Sequence, residues 1–285
     1  MRNHFLVFTC VLTLTATGAN SLGSSLASAY ESVKIPLDKS EKRFGNFYVR
    51  FLDGHLYRPN SNQPSPTIIL LHGCGGFGGV SLRSAENRAE HFATLGYASL
   101  ILDVDDDRKL GQRPCNERAI NFPLLDARSA DIDAATGWLT AEKISIPGKI
   151  TALGTSHGAQ VVIEHDKKTG GSARLAGGIA NYPGCDIGKP SARYPLLILV
   201  GDQDFTDGPG KSLRPICSGY AAGVNRAGGA KAEAVVYPGA AHGFEVEGLK
   251  AGTSDSLNKS GSGYDAAAAE ASFRKVDEFL LHVFQ

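Results

Sequence analysis

The stretch ITALGTSHGAQVVIEH, residues 150–165, runs from an apolar, strand-like segment through G-T-S-H-G into a segment with helical spacing. A strand that enters a helix over so few residues must bend sharply. Glycines two residues before and two after Ser156 clear space on both sides of such a bend. The turn then projects the serine hydroxyl away from the sheet and exposes the backbone N–H of the next residue. G-x-S-x-G is a short pattern. It gains weight here from the run Lys149 to Leu153 before it and the run Ala159 to Ile163 after it. The bland alternative is a small residue in an ordinary loop.

Moving outward from the turn, apolar runs alternate with helical patterns along most of the chain. Buried strands are expected at Thr67–Leu71, within GYASLILDV (96–104), at Lys149–Leu153, near Leu175–Ile179, at Pro195–Val200 and at Ala232–Pro238. Helices are expected from about Leu82 to Leu95, within DARSADIDAATGWL (126–139), from Leu213 to Asn225, and from near Asp265 to the end. In the last of these Phe273, Val276, Leu280 and Val283 share one face. Strands apolar enough for burial on both faces, each followed by a helix, predict an α/β fold with a mostly parallel sheet flanked by helices. Short runs at Ser32–Pro36, Gly45–Leu52 and His55–Tyr57 suit an antiparallel entry to that sheet. Residues 104–124 read as polar and irregular, and 252–263 as a long connection.

The 285 residues are 42% hydrophobic, spread along the chain, which suits one core rather than two large domains. Residues 1–29 carry Arg2, an apolar run centred on Phe5 to Leu14, and small residues up to Ala29. They read as a secretory signal peptide, too short for a transmembrane span, with residues 30–285 as a single domain exported to the periplasm or beyond the cell. No stable membrane insertion is expected. Lys plus Arg number 29 and Asp plus Glu 29, interspersed, so nucleic acid is not an expected partner. Of the five cysteines, Cys10 falls in the leader; Cys74, Cys115, Cys185 and Cys217 remain, an even set suited to two disulfides with three possible connectivities.

A serine hydroxyl is a weak nucleophile until a base accepts its proton and an acid orients that base. Asp204 lies just beyond the run PLLILV, and His242 just beyond AEAVVYP, so both are expected at the same strand ends as Ser156, in the order Ser, Asp, His. Asp202 and Asp207 compete with Asp204 for the acid. His157, next to Ser156, is poorly placed as the base, and its backbone N–H is the more useful group. That N–H is one expected oxyanion donor. The other is expected from His72-Gly73-Cys74-Gly75-Gly76, at Cys74 with Gly75 as the near alternative, while His72 organises the turn.

Together, Gly154-Thr155-Ser156-His157-Gly158, Gly201-Asp202-Gln203-Asp204 and Ala241-His242-Gly243-Phe244 resemble the elbow, acid and base motifs of the dienelactone hydrolase family and its exported relatives within the α/β-hydrolase superfamily. The resemblance covers nearly all of the chain after the leader. It implies the α/β-hydrolase fold and favours Asp204 as the acid. Cytosolic members characteristically carry cysteine at the elbow, whereas this chain has Ser156. The resemblance also implies disulfides pairing Cys74 with Cys115 and Cys185 with Cys217.

The expected reaction is hydrolysis of a small-molecule carboxylic ester or lactone through an acyl-enzyme, with no cofactor and no metal. Amide or peptide cleavage is an alternative, as is an exported ligand-binding domain without turnover. Asp103, Asp105 and Asp107 alternate as in a calcium loop, but Arg108 and Pro114 stand where that loop needs glycine and glutamate. No H-E-x-x-H pattern is present, and the elbow lacks both the G-K-[ST] of a P-loop and the G-x-G-x-x-G dinucleotide pattern; HGCGGFGG (72–79) is glycine-rich, but composition alone is weak evidence for phosphate binding. The sequence carries no signal for an oligomeric state.

Overall fold

Alternation along the strands sets the architecture of the computed structural model, which describes residues 30–42, 48–61, 63–103, 118–168, 175–205, 212–251 and 262–285. In β3 (Ser65–Leu71), Ile69 and Leu71 enter one apolar cluster while Ile68 and Leu70 enter another. In β7 (Leu196–Gly201), Leu196, Ile198 and Val200 face the first cluster and Leu197 and Leu199 the second. A strand buried on both faces needs a helical layer on each side.

Those layers are present. Helices α2 (Arg118–Ala141), α3 (His157–Lys168) and α4 (Leu213–Ala227) bury Ile132, Ala135, Leu139, Val162, Leu213 and Val224 against the first face. Helices α1 (Gly79–Thr94) and α5 (Ala266–Val283) bury Ala89, Phe92, Val276 and Leu280 against the second. The remaining strands are β1 (Glu31–Lys42), β2 (Tyr48–Tyr57), β4 (Ala98–Asp103), β5 (Ser145–Thr155), β6 (Gly177–Asn181) and β8 (Ala232–Tyr237). The eight strands of the described residues form one sheet in the order β1-β2-β4-β3-β5-β6-β7-β8. The β1–β2 and β2–β4 pairs are antiparallel and the other five parallel. This is the α/β-hydrolase arrangement.

Several boundaries differ from the sequence reading, β5 starting at Ser145 rather than Lys149 and α1 at Gly79 rather than Leu82 among them. The two runs split at Asp53-Gly54 are one strand, β2. Gly54 pairs with Leu102, and a Cβ on it would lie 2.9 Å from the Leu100 side chain, so the glycine serves close packing between strands rather than a turn. Residues 118–124, read as irregular, are the first turns of α2, because Leu124 and Leu125 are buried and packing outweighs local polarity. The strand expected at Leu175–Ile179 lies two residues later, at Gly177–Asn181. The final helix starts where expected, with the Asp265 carboxylate accepting from Ala268 N–H at 2.9 Å as its N-cap. The proposed leader, residues 104–117 and most of the 252–263 connection lie outside the described residues. Among the described residues no helix is long and apolar enough to cross a membrane.

Candidate active site

Ser156 sits between β5 and α3 with φ 53°, the left-handed region that non-glycine side chains rarely occupy. Neighbouring backbone holds it there. Its N–H donates to the Asn181 carbonyl at 3.0 Å, and its carbonyl accepts from Gln160 N–H at 3.1 Å. The flanking glycines are required by close approach. A Cβ on Gly154 would lie 2.2 Å from the Gly158 carbonyl, and one on Gly158 would lie 2.5 Å from the His72 carbonyl oxygen. The tight return of the elbow into α3 leaves no volume for a side chain at Gly154, and the end of β3 leaves none at Gly158.

The Ser156 Oγ lies 3.0 Å from His242 Nε2. His242 Nδ1 lies 2.7 Å from Asp204 Oδ2, and Asp204 is fully buried. A carboxylate accepts only, so Nδ1 carries the proton and Nε2 presents a lone pair to the hydroxyl. Three residues far apart in sequence thus form one hydrogen-bonded chain. Asp202, the competing acid, is engaged elsewhere. Its Oδ1 accepts from Gly239 N–H at 2.8 Å and Gln203 Nε2 at 3.1 Å, organising the turn after β8. Asp207 lies outside the described residues.

His242 is held from behind. The ring of Tyr182, at φ 43° just past β6, meets the His242 ring edge-on with centroids 4.5 Å apart. The Tyr182 hydroxyl donates to Glu245 Oε1 at 2.6 Å, and Asn181 Nδ2 donates to the same oxygen at 3.3 Å. Burial, reinforced by the Glu245 carboxylate, pushes the Tyr182 phenol well above its ordinary range, so it stays a donor. Arg88, buried beneath the same loop and stacked 4.2 Å over the Phe273 ring, has its guanidinium pKa pulled down by burial and opposed by Glu245. The chain leading into α5 is stitched to the base loop as well. Gly263 N–H donates to the His242 carbonyl at 3.0 Å, Asp265 N–H to Phe244 at 2.9 Å, and His242 and Ser262 form a parallel bridge.

The second wall is the turn after β3. Gly73 lies against Ser156, since a Cβ on it would be 3.3 Å from the Ser156 Cβ. Cys74 follows directly on this turn, and the N–H of His157 follows Ser156 at the head of α3. His72 is buried, with Nδ1 2.6 Å from the Gly73 carbonyl and its ring edge-on to Phe77. It organises the turn, as expected. The buried guanidinium of Arg128 on α2 contacts both walls, with NH1 2.7 Å from His157 Nδ1 and NH2 donating to the His72 carbonyl at 2.7 Å.

Cys185 and Cys217 are joined, tying the segment after β6 to α4. Cys74 is also disulfide-bonded; Cys115, its expected partner, lies outside the described residues. Sequence reasoning missed Tyr182, Glu245, Arg88 and Arg128. For Arg128 a signal existed, because it stands four residues before Ile132 on the stripe that continues through Ala135 and Leu139, and an arginine on an apolar helix face needs buried partners.

A family model described as the dienelactone hydrolase family matches residues 52–284. The quorum-quenching protein AidA of Acinetobacter baumannii (strain MDR-ZJ06) is 30% identical over 148 residues, 51% of this chain and 44% of that protein, so the match spans less than half the length of this curated relative. Among solved structures, the apo form of Thermogutta terrifontis esterase 2 superposes with a TM-score of 0.63 at 20% identity, covering 90% of this chain and 96% of that one. The dienelactone hydrolase of Anabaena variabilis ATCC 29413 gives a TM-score of 0.61 at 16% identity, with 89% and 97% covered. At these identities the likeness establishes the fold.

Proposed function

Because the chain belongs to the dienelactone hydrolase family, we propose that it is a serine hydrolase that cleaves small-molecule carboxylic esters or lactones through an acyl-enzyme. One observation carries the reading: Ser156 Oγ, His242 and Asp204 are linked at 3.0 and 2.7 Å. His242 Nε2 accepts the Ser156 proton as Oγ attacks the carbonyl carbon. Asp204 holds the ring in the tautomer this requires and stabilises the imidazolium that forms. The N–H groups of His157 and Cys74 receive the developing oxyanion. Collapse expels the alcohol, which takes its proton from His242. Water, deprotonated by His242, then attacks the acyl-enzyme, and Ser156 leaves as the free hydroxyl.

The reaction requires no cofactor or metal. Export to an oxidising compartment belongs to the same reading, supported by the leader-like first 29 residues and by disulfide-bonded Cys74, Cys185 and Cys217. Thermogutta terrifontis esterase 2 is phosphorylated by paraoxon, which recommends a phosphorus reagent as the first test here. A fluorophosphonate should label the wild-type protein and leave Ser156→Ala unlabelled. A panel of a p-nitrophenyl ester, a lactone and an anilide should then show turnover of the first two, lost in Ser156→Ala. Equal turnover by the two proteins would overturn the mechanism, and faster anilide than ester cleavage would make the protein an amidase.

A further inference from the structure

We propose that Arg128 is a positioning residue that clamps the two walls of the oxyanion site together and fixes the ring state of His157. The inference rests on the serine-hydrolase reading. The walls come from different places in the chain: one is the turn after β3, containing His72, Gly73 and Cys74, and the other is the head of α3, starting at His157. An oxyanion site works only while its donors keep their spacing, and donors on separate segments keep it only if something joins them. Backbone packing contributes through the Gly158 contact with the Leu71 and His72 carbonyls, and Thr155 Oγ1 reaches the Leu71 carbonyl at 3.4 Å. Neither of these contacts reaches the His157 ring. Arg128 reaches it from α2, with 2.7 Å bonds to His157 Nδ1 and to the His72 carbonyl.

The chemistry of the fork explains the choice of residue. A guanidinium donates only, and its planar geometry serves two acceptors at once, which an ammonium on a flexible stem does less well. Because NH1 donates, Nδ1 of His157 must be the unprotonated nitrogen, and the ring is neutral with its proton on Nε2. His157 is therefore held as an acceptor for Arg128 and kept out of proton exchange with Ser156. Arg128 itself is buried, so its positive charge is little screened by solvent on the side of the site where negative charge develops.

Two measurements test this. Imidazole ¹⁵N spectra of the wild-type protein at neutral pH should show His157 with a bare Nδ1 and a protonated Nε2. A protonated Nδ1 would overturn the proposal whether or not the protein turns over any ester. Kinetics with p-nitrophenyl acetate should show kcat lowered about 10²-fold in Arg128→Met, the order expected for misplaced catalytic donors, with KM within a few-fold. Arg128→Lys should recover part of the loss. Phenylboronic acid, whose tetrahedral adduct mimics the oxyanion, should lose affinity in step with kcat. Wild-type kcat and boronate affinity in Arg128→Met would overturn the clamp. If Arg128→Met fails to fold, His157→Ala carries the test, since it keeps the backbone N–H and removes only the ring. Wild-type kcat in that variant would likewise overturn the proposal. A wild-type protein that neither turns over the ester nor takes the fluorophosphonate, yet gives the expected ¹⁵N pattern, would sink the hydrolase reading and leave the Arg128–His157 link standing.

Discussion

Asp204 has no solvent-exposed surface, and one of its oxygens is committed to His242 Nδ1 at 2.7 Å. A buried carboxylate is costly to desolvate unless such bonds compensate it; in the proposed mechanism its charge orients and balances the imidazole. Asparagine has nearly the same shape but can turn its NH₂ toward Nδ1, which would drive the ring into the wrong tautomer. Asp204→Asn should therefore stay folded and lose about 10³- to 10⁴-fold in kcat, checked by ester turnover beside a melting curve. Asp202→Asn should cost far less activity, because its Oδ1 bonds to Gly239 N–H and Gln203 can be kept by an amide oxygen. Two aspartates two positions apart on one loop are thus separated by what each faces. Sequence spacing could not do that, and only the family resemblance favoured Asp204.

The elbow is where strand, turn and helix constrain one another most tightly. Gly158→Ala would force a methyl group to within 2.5 Å of the His72 carbonyl oxygen. Either β3 or α3 must shift, so the substitution should destabilise the fold by about 1–3 kcal/mol and depress kcat by separating the two oxyanion walls. Melting temperature and turnover should fall together, whereas Arg128→Met should lower turnover by more than its melting temperature suggests. Much at this scale could be read in advance. The alternation of apolar runs with helical stripes located six strands and the five described helices, because burial on both faces leaves a plain signature. Asp53-Gly54 and residues 118–124 misled for the opposite reason: a turn-like dipeptide and a polar segment were overruled by packing against β4 and by the burial of Leu124 and Leu125. Ser156 and His242, proposed as nucleophile and base, could be singled out in advance because glycines surround them. Tyr182, Glu245 and Arg128 were not, since their roles come from contacts across the fold.

Across the whole molecule, stability rests on two apolar layers pressed against opposite faces of one sheet. The Cys185–Cys217 bridge, closing a separation of 32 residues, adds a restraint at the β6 and α4 end. In the chain-entropy account a loop of that length contributes about 3–4 kcal/mol at 25 °C. The double variant Cys185→Ala/Cys217→Ala should therefore unfold at a lower urea midpoint while still taking the fluorophosphonate. Mutation is a cleaner probe than a reductant here, because a reductant would also open the disulfide at Cys74.

The bonds from Gly263 and Asp265 to the base loop have a further consequence, best seen in genetic terms. Residues 262–285 contribute no reacting atom, yet they fasten the His242 backbone. A nonsense mutation between codons 242 and 262 would leave every residue of the proposed triad translated and still produce a catalytic null, so a loss-of-function screen would map its hits to a region that a list of reacting residues leaves out.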